Sequence, residues 1–159
     1  MKMAGEIDIF CKEPGEKRPR EKALAQAVNS TFEKMGFMEA RTTAGEATQG
    51  HAITAVIDIL APSPARIFFS APQQLGWNIA ENFYGLEEMT MEAVGDMMKE
   101  LLNTITGSLL STIMPNQQFQ LSIPRLCAET PAHQAGSYVY QFNIDNKGII
   151  TIVLTDTPS

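Results

Sequence analysis

The chain has 159 residues, 44% of them hydrophobic, and a formal net charge of −6. That is enough for one domain with a sizeable core, and too apolar for a disordered chain, a collagen-like one or a disulfide scaffold. The acidic balance argues against nucleic acid as a partner, because a net-negative surface repels phosphate backbones. No run of 18 or more apolar residues is present to span a membrane. The N-terminus, MKMAGEIDIFCKEPG, carries acids where a signal peptide needs an apolar stretch. A cytoplasmic location is therefore expected. Cys11 and Cys127 form no CxxC pair and fit a reducing compartment.

Five of the twelve basic residues (Lys12, Lys17, Arg18, Arg20, Lys22) fall in one short stretch with Pro14, Gly15 and Pro19. It reads as a solvated N-terminal arm over residues 1–20, followed by a single domain over 21–159. The first helix is marked by Leu24, Val28, Phe32 and Met35 at three- and four-residue spacing, with Gly36 as its stop. AITAVIDIL and RIFFS follow as strands, joined across Pro62–Ala65 as an antiparallel hairpin. Ser70 then reads as the N-cap of a second helix, with Leu75, Ile79 and Phe83 as its buried stripe and Gly85 as its end. Trp77 lies off that stripe and is expected to pack on a neighbouring element.

The longest helix is expected over about residues 89–112. At 100° per residue, Val94, Met98, Leu101, Leu102, Ile105 and Leu109 gather in one apolar arc, read as core despite the methionines. Beyond Pro115 the period becomes two. FQLSI puts Phe119, Leu121 and Ile123 on one face, and YVYQFNI does the same with Tyr138, Tyr140, Phe142 and Ile144. Asp145–Gly148 is a hairpin turn into the closing strand IITIVLT. Helix, two strands, two helices, then three or four strands make an α+β domain: an antiparallel sheet with long helices packed on one face.

Common site chemistry is missing. His51 and His133 stand apart, with no Cys, His or carboxylate at metal-ligand spacing. No GxSxG elbow, local Cys–His arrangement or glycine-rich phosphate loop occurs. What remains is the polar face of the long helix. Glu100 and Asn103 are three apart and project side by side, and Gly107 lies between them in angle one turn beyond Asn103. Gly107 removes bulk beside Asn103 and lets another surface come close. Glu92, Asp96 and Glu100 form an i, i+4 ladder of like charge, read as lacking basic mates. An ExxN match alone should occur in roughly one chain of this length in three, so the spacing decides nothing by itself.

The longer string does more. EAVGDMMKELLNTITG, then Pro115 and FQLSIP, resembles the CheC/CheX/FliY family of chemotaxis phosphatases. Glu100, Asn103 and Gly107 match that family's helix motif, Ser122, Ile123 and Pro124 its later extended segment, and ARIFFSAP its hairpin strand leading into a helix. The similarity covers about residues 22–155, and the single ExxN copy is like the CheX branch. Two departures stand out: Lys99 where a glycine commonly precedes the glutamate, and Thr104-Ile105-Thr106 in place of a Met-rich, Ala-containing continuation.

The resemblance implies a CheC/CheX-like fold and hydrolysis of the aspartyl phosphate of a CheY-type response regulator. It implies that Asn103 positions the attacking water and Glu100 pairs with the regulator's lysine. Asp96, Lys99 and Gly107 are the expected partner-contacting residues. No cofactor is expected in the chain itself, since the phosphorylated regulator brings the Mg²⁺. The alternative is a non-catalytic module of the same fold that docks a regulator or a flagellar-motor component; a small-molecule-binding domain has no motif behind it. A homodimer is also expected, because this branch pairs through its sheet and IITIVLT has no proline or charge to blunt an exposed edge.

Overall fold

One face of the sheet is apolar, with burial alternating strictly along the strand Ala65–Pro72, and the helices cover that face. The computed structural model describes residues 17–36, 38–43, 52–85, 89–128 and 137–156. Its elements run α1 (Lys17–Thr31, continued as a π-helical turn over Phe32–Gly36), β1 (Ala40–Thr43), β2 (Ala52–Ala61), β3 (Ala65–Pro72), α2 (Gln73–Tyr84), α3 (Met91–Ile113), β4 (Gln120–Leu121), β5 (Arg125–Cys127), β6 (Ser137–Ile144) and β7 (Gly148–Asp156). His51, His133 and the chain ahead of Lys17, including Cys11, lie outside the described residues.

All seven strands join one antiparallel sheet in the order β1-β6-β7-β3-β2-β4, with β5 also on β2. Register aligns Ala55, Phe69 and Ile152 in one row and Ile57, Ile67 and Leu154 in the next, every one of them buried. Against these rows lie Leu24, Val28 and Phe32 of α1, Leu75 and Ile79 of α2, and the whole apolar arc expected for the long helix. The expected α+β class holds, and Trp77 is half-buried and packed on the core. The β6–β7 turn works as anticipated, with Asp145 and Asn146 at φ 51° and 58°, a conformation these side chains tolerate. It also holds β1 in place: Asp145 Oδ1 accepts from the Glu39 amide at 2.8 Å, and the Asp145 amide donates to the Glu39 carbonyl at 2.9 Å.

Several expectations need correction. The first helix starts at Lys17, so residues 17–20 are not part of an arm. Arg20 is buried between α1 and β6, its Nε donating to the Tyr140 hydroxyl at 3.1 Å and its guanidinium 3.9 Å from the Tyr138 ring centre. An apolar stem with a planar head suits this slot, where a charge run read one residue at a time looks solvated. Ser70 does not cap α2. It stays in β3, sharing a hydrogen bond of 2.7 Å with Thr54 Oγ1 on the neighbouring strand, and the helix starts after Pro72 with no side-chain cap. Ile123 is 87% exposed and shares no face with Leu121. The strand breaks there because Ser122 turns its amide and hydroxyl onto the Asp58 backbone, at 2.8 and 2.9 Å, and Pro124 has no amide to offer. The closing strand β7 is flanked by β3 and β6, so it is no edge, and the edge argument for pairing two chains fails. Its apolar run is what a strand inside a sheet requires.

Asp58 ties the far side of the sheet together. Its carboxylate takes Arg66 Nε at 2.6 Å and Arg125 Nη1 at 3.1 Å, which anchors β5 to the β2–β3 hairpin. Burial pushes this carboxyl upward, but the two guanidinium groups outweigh it and hold the group below its usual range. A carboxyl lowered in the folded state contributes stability that is present above its unfolded value and lost as pH falls through the folded one. Asp58→Asn is thus expected to flatten the acid limb of a melting-temperature profile below about pH 4. An unchanged limb would show that the triad contributes nothing. For Arg20, replacement by alanine should cost about 1–3 kcal/mol in urea unfolding, through lost packing, hydrogen bond and ring contact. A solvated arm residue would cost under about 0.5 kcal/mol.

Candidate functional site

The long helix carries the candidate residues, and its rotation about its own axis is set by burial. Val94, Met97, Met98, Leu101, Leu102, Ile105, Leu109 and Leu110 are all sealed from solvent. Thr90 caps the helix, its hydroxyl accepting from the Ala93 amide at 3.1 Å. With that side fixed on the sheet, the opposite stripe must face outward. Glu100 and Asn103 are both exposed, as are Glu92 and Asp96. At 100° per residue, Asp96, Glu100, Asn103 and Gly107 fall within an arc about 60° wide. Space is open above Gly107, where an added Cβ would meet nothing within 4 Å.

Lys99 departs from the expectation of an acidic ladder without basic mates. Its Nζ lies 3.3 Å from Asp96 Oδ1, an i, i+3 pair on the same face. Such an exposed pair adds little to stability, but it removes part of the negative field from one rung. Glu100 is left as the acid next to Asn103. Ser122, at the start of the second matching segment, has its hydroxyl and amide committed to β2, so its part is to hold that segment on the sheet.

Two residues near this stripe were not singled out by sequence. Tyr84, the last residue of α2, is 47% exposed and stands beside α3. Burial pushes its phenol above the usual range, and the Asp96 and Glu100 carboxylates push it further. Tyr84 falls off the Leu75–Ile79–Phe83 stripe, and that single aromatic before Gly85 was the available signal. On the other flank, Leu126 of β5 lies directly on α3 where Gly95 faces it: a Cβ on Gly95 would come within 2.8 Å of Leu126 Cδ1. No pattern in RLC points to this contact, since it depends on how β5 returns to β2. Among the described residues, no three His, Cys, Asp or Glu side chains cluster closely enough to hold a metal ion.

Comparison with known proteins gives this geometry a setting. A family model described as "Chemotaxis phosphatase CheX" matches residues 53–145, more than half of the chain. No curated protein matches the sequence. Among solved structures, the chain is similar to the chemotaxis protein CheX from Desulfovibrio desulfuricans, at 15% identity and a TM-score of 0.72 over 87% of this chain and 99% of that one. It is also similar to CheX from Vibrio vulnificus, at 17% identity and a TM-score of 0.69 over 89% and 96% of the two chains. A third likeness is to a chain in the CheX–CheY–BeF3–Mg+2 complex from Borrelia burgdorferi, at 13% identity and a TM-score of 0.69 over 87% and 98%. The solved structures speak for the fold, and the match over residues 53–145 speaks for descent: the chain belongs to the chemotaxis phosphatase CheX family.

Proposed function

We propose that this chain hydrolyses the aspartyl phosphate of a CheY-type response regulator, with Asn103 positioning the attacking water and Glu100 pairing with a lysine of the regulator. The observation that carries the reading is the outward Glu100–Asn103 stripe on the rigid α3 of a CheX family member, with open space above Gly107. Support for the partner comes from the family description and from the similar chain that was solved in complex with CheY.

The chemistry asks little of this chain beyond position. Water attacks phosphorus, the bond from phosphorus to the aspartyl oxygen breaks, and the water's proton leaves with the phosphate. An amide such as Asn103 can accept from and donate to that water with no titration of its own. Glu100, facing a lysine across a closed interface, gains strength as water is excluded. Mg²⁺ would come bound to the regulator, and the reaction would take place in the cytoplasm, where such regulators work. The Asp96–Lys99 ion pair favours a second reading, a module that docks a regulator without hydrolysing it, because it weakens the acidic field that would steer the lysine.

Decay of a phosphorylated regulator with and without the protein separates the two. If Asn103 acts mainly in the transition state, Asn103→Ala should lower turnover by roughly 10- to 1000-fold while regulator affinity changes little. Glu100→Ala should weaken binding and make it less sensitive to salt. Wild-type turnover in both variants would end the assignment. Gly107→Ala offers an opposed pair of signs. With space above it and a helical backbone around it, the change should stabilise the fold by about 0.5–1 kcal/mol. It should also raise KM by crowding the approach to Asn103, and a stabilised variant with unaltered KM would show that nothing docks there.

A further inference from the structure

A polar helix stripe cannot exclude water from itself, yet the proposed reaction needs an interface dry enough to order one water and strengthen one ion pair. The structure places an apolar side chain on each flank of the stripe. Tyr84 is nearly half exposed, and its ring is fixed by an edge contact with Phe83, ring centres 4.8 Å apart, while Phe83 packs on the core. Its phenol is near enough to Asp96 and Glu100 to feel both carboxylates, and by helical angle Glu100 is the member of the stripe turned farthest from Gly95. Leu126 is half exposed and seated on Gly95, which by helical angle lies on the side of α3 away from Glu100, and the exposed Ile123 precedes it in the β4–β5 segment.

We infer that Tyr84 and Leu126 are the anchors on which the phosphorylated receiver domain docks, and that they carry most of the affinity, to which Glu100 adds its ion pair, while Asn103 carries the chemistry. The inference rests on the reading under Proposed function and names the surface through which that partner is held. The charge of the stripe selects the same occupant: Glu92 and Glu100 present carboxylates toward a partner that must bring a lysine beside its phosphate. An exposed tyrosine is a side chain on which binding energy tends to concentrate, and an apolar neighbour such as Leu126 helps to exclude water from the polar stripe. Gly95 contributes indirectly, because only a residue without Cβ lets Leu126 lie this close to α3.

The test measures docking and hydrolysis separately. Titration against a receiver domain carrying beryllofluoride and Mg²⁺, a stable mimic of the phosphorylated form, reads Kd with no hydrolysis involved. Tyr84→Ala and Leu126→Thr should each raise Kd by about 5- to 50-fold. Tyr84→Phe, which keeps the ring, should stay near the wild-type value. Turnover at saturating phosphorylated receiver should also fall in Tyr84→Ala and Leu126→Thr, because water then reaches the stripe, but by less than in Asn103→Ala. Gly95→Ala provides an arm that leaves both anchors in the sequence, and by displacing Leu126 it should also weaken Kd. Unchanged Kd in folded Tyr84→Ala and Leu126→Thr proteins would overturn the inference, as would a wild-type protein that does not bind the mimic. Tight binding without hydrolysis would refute the phosphatase reading and leave the docking surface standing.

Discussion

The burial of one side of α3 decides where every candidate residue points. A helix has a single rotational setting in which Val94, Met98, Leu101, Leu102, Ile105 and Leu109 all meet the sheet and its companion helices, and each is fully buried in that setting. Turning the helix by even one residue's angle would expose part of this arc, and truncating one such side chain costs about 2–5 kcal/mol. No interaction at the surface is strong enough to compete. Glu100 and Asn103 are held outward by what the opposite side of their helix must do. The site owes its geometry to the core, although neither of its two residues contributes to that core.

This separation explains which parts were legible in the sequence. Period 3.6 and period 2 are statements about burial, so the elements whose identity burial decides could be read: the arc of α3, the β2–β3 hairpin, and the β6–β7 hairpin with its Asp145–Asn146 turn. The outward stripe was legible as the complement of the arc. Its meaning came from the longer EAVGDMMKELLNTITG string, because ExxN by itself is too common to decide anything. Where neighbours in space decide the outcome, the same reading failed. Ser70 has the composition of an N-cap, but its hydroxyl is taken by Thr54 across the hairpin, a partner that local sequence does not announce. Arg20 looks solvated beside Lys17, Arg18 and Lys22, yet the ring of Tyr138 and the hydroxyl of Tyr140, 118 and 120 residues away, give it a buried place.

Strand order was the least accessible property, for a related reason. The apolar run of β7 is equally compatible with an exposed edge and with the middle of a sheet, because periodicity reports faces and not neighbours. The structure resolves this by placing β7 between β3 and β6, where both rows of its backbone groups are paired. The short β4 and β5 share the margin along β2, and Ile123 is thrown outward where they part. That break follows from Ser122 and Pro124, and it sets Leu126 of β5 on Gly95. An irregularity in the sheet thus becomes the flank of the helix that bears the candidate site.

The proposed function would make this site half of an active centre, and its physical character fits that. An enzyme that must activate its own nucleophile shows buried titratable groups with strongly displaced pKa values. If the partner supplies the electrophile and the metal, the remaining tasks are to order a water and to neutralise a lysine, and both can be met by exposed side chains. What such a site requires is a fixed position relative to the docking surface. A 23-residue helix clamped by its buried arc, bounded by Tyr84 on one side and Leu126 on the other, supplies that reference. Solvent exposure in the isolated chain is then no argument against catalysis, because in the proposed complex the low-dielectric environment would be created when the two proteins close on each other. The residues proposed to exclude water and those proposed to act on phosphorus need not be the same, and they lie on different elements of the fold.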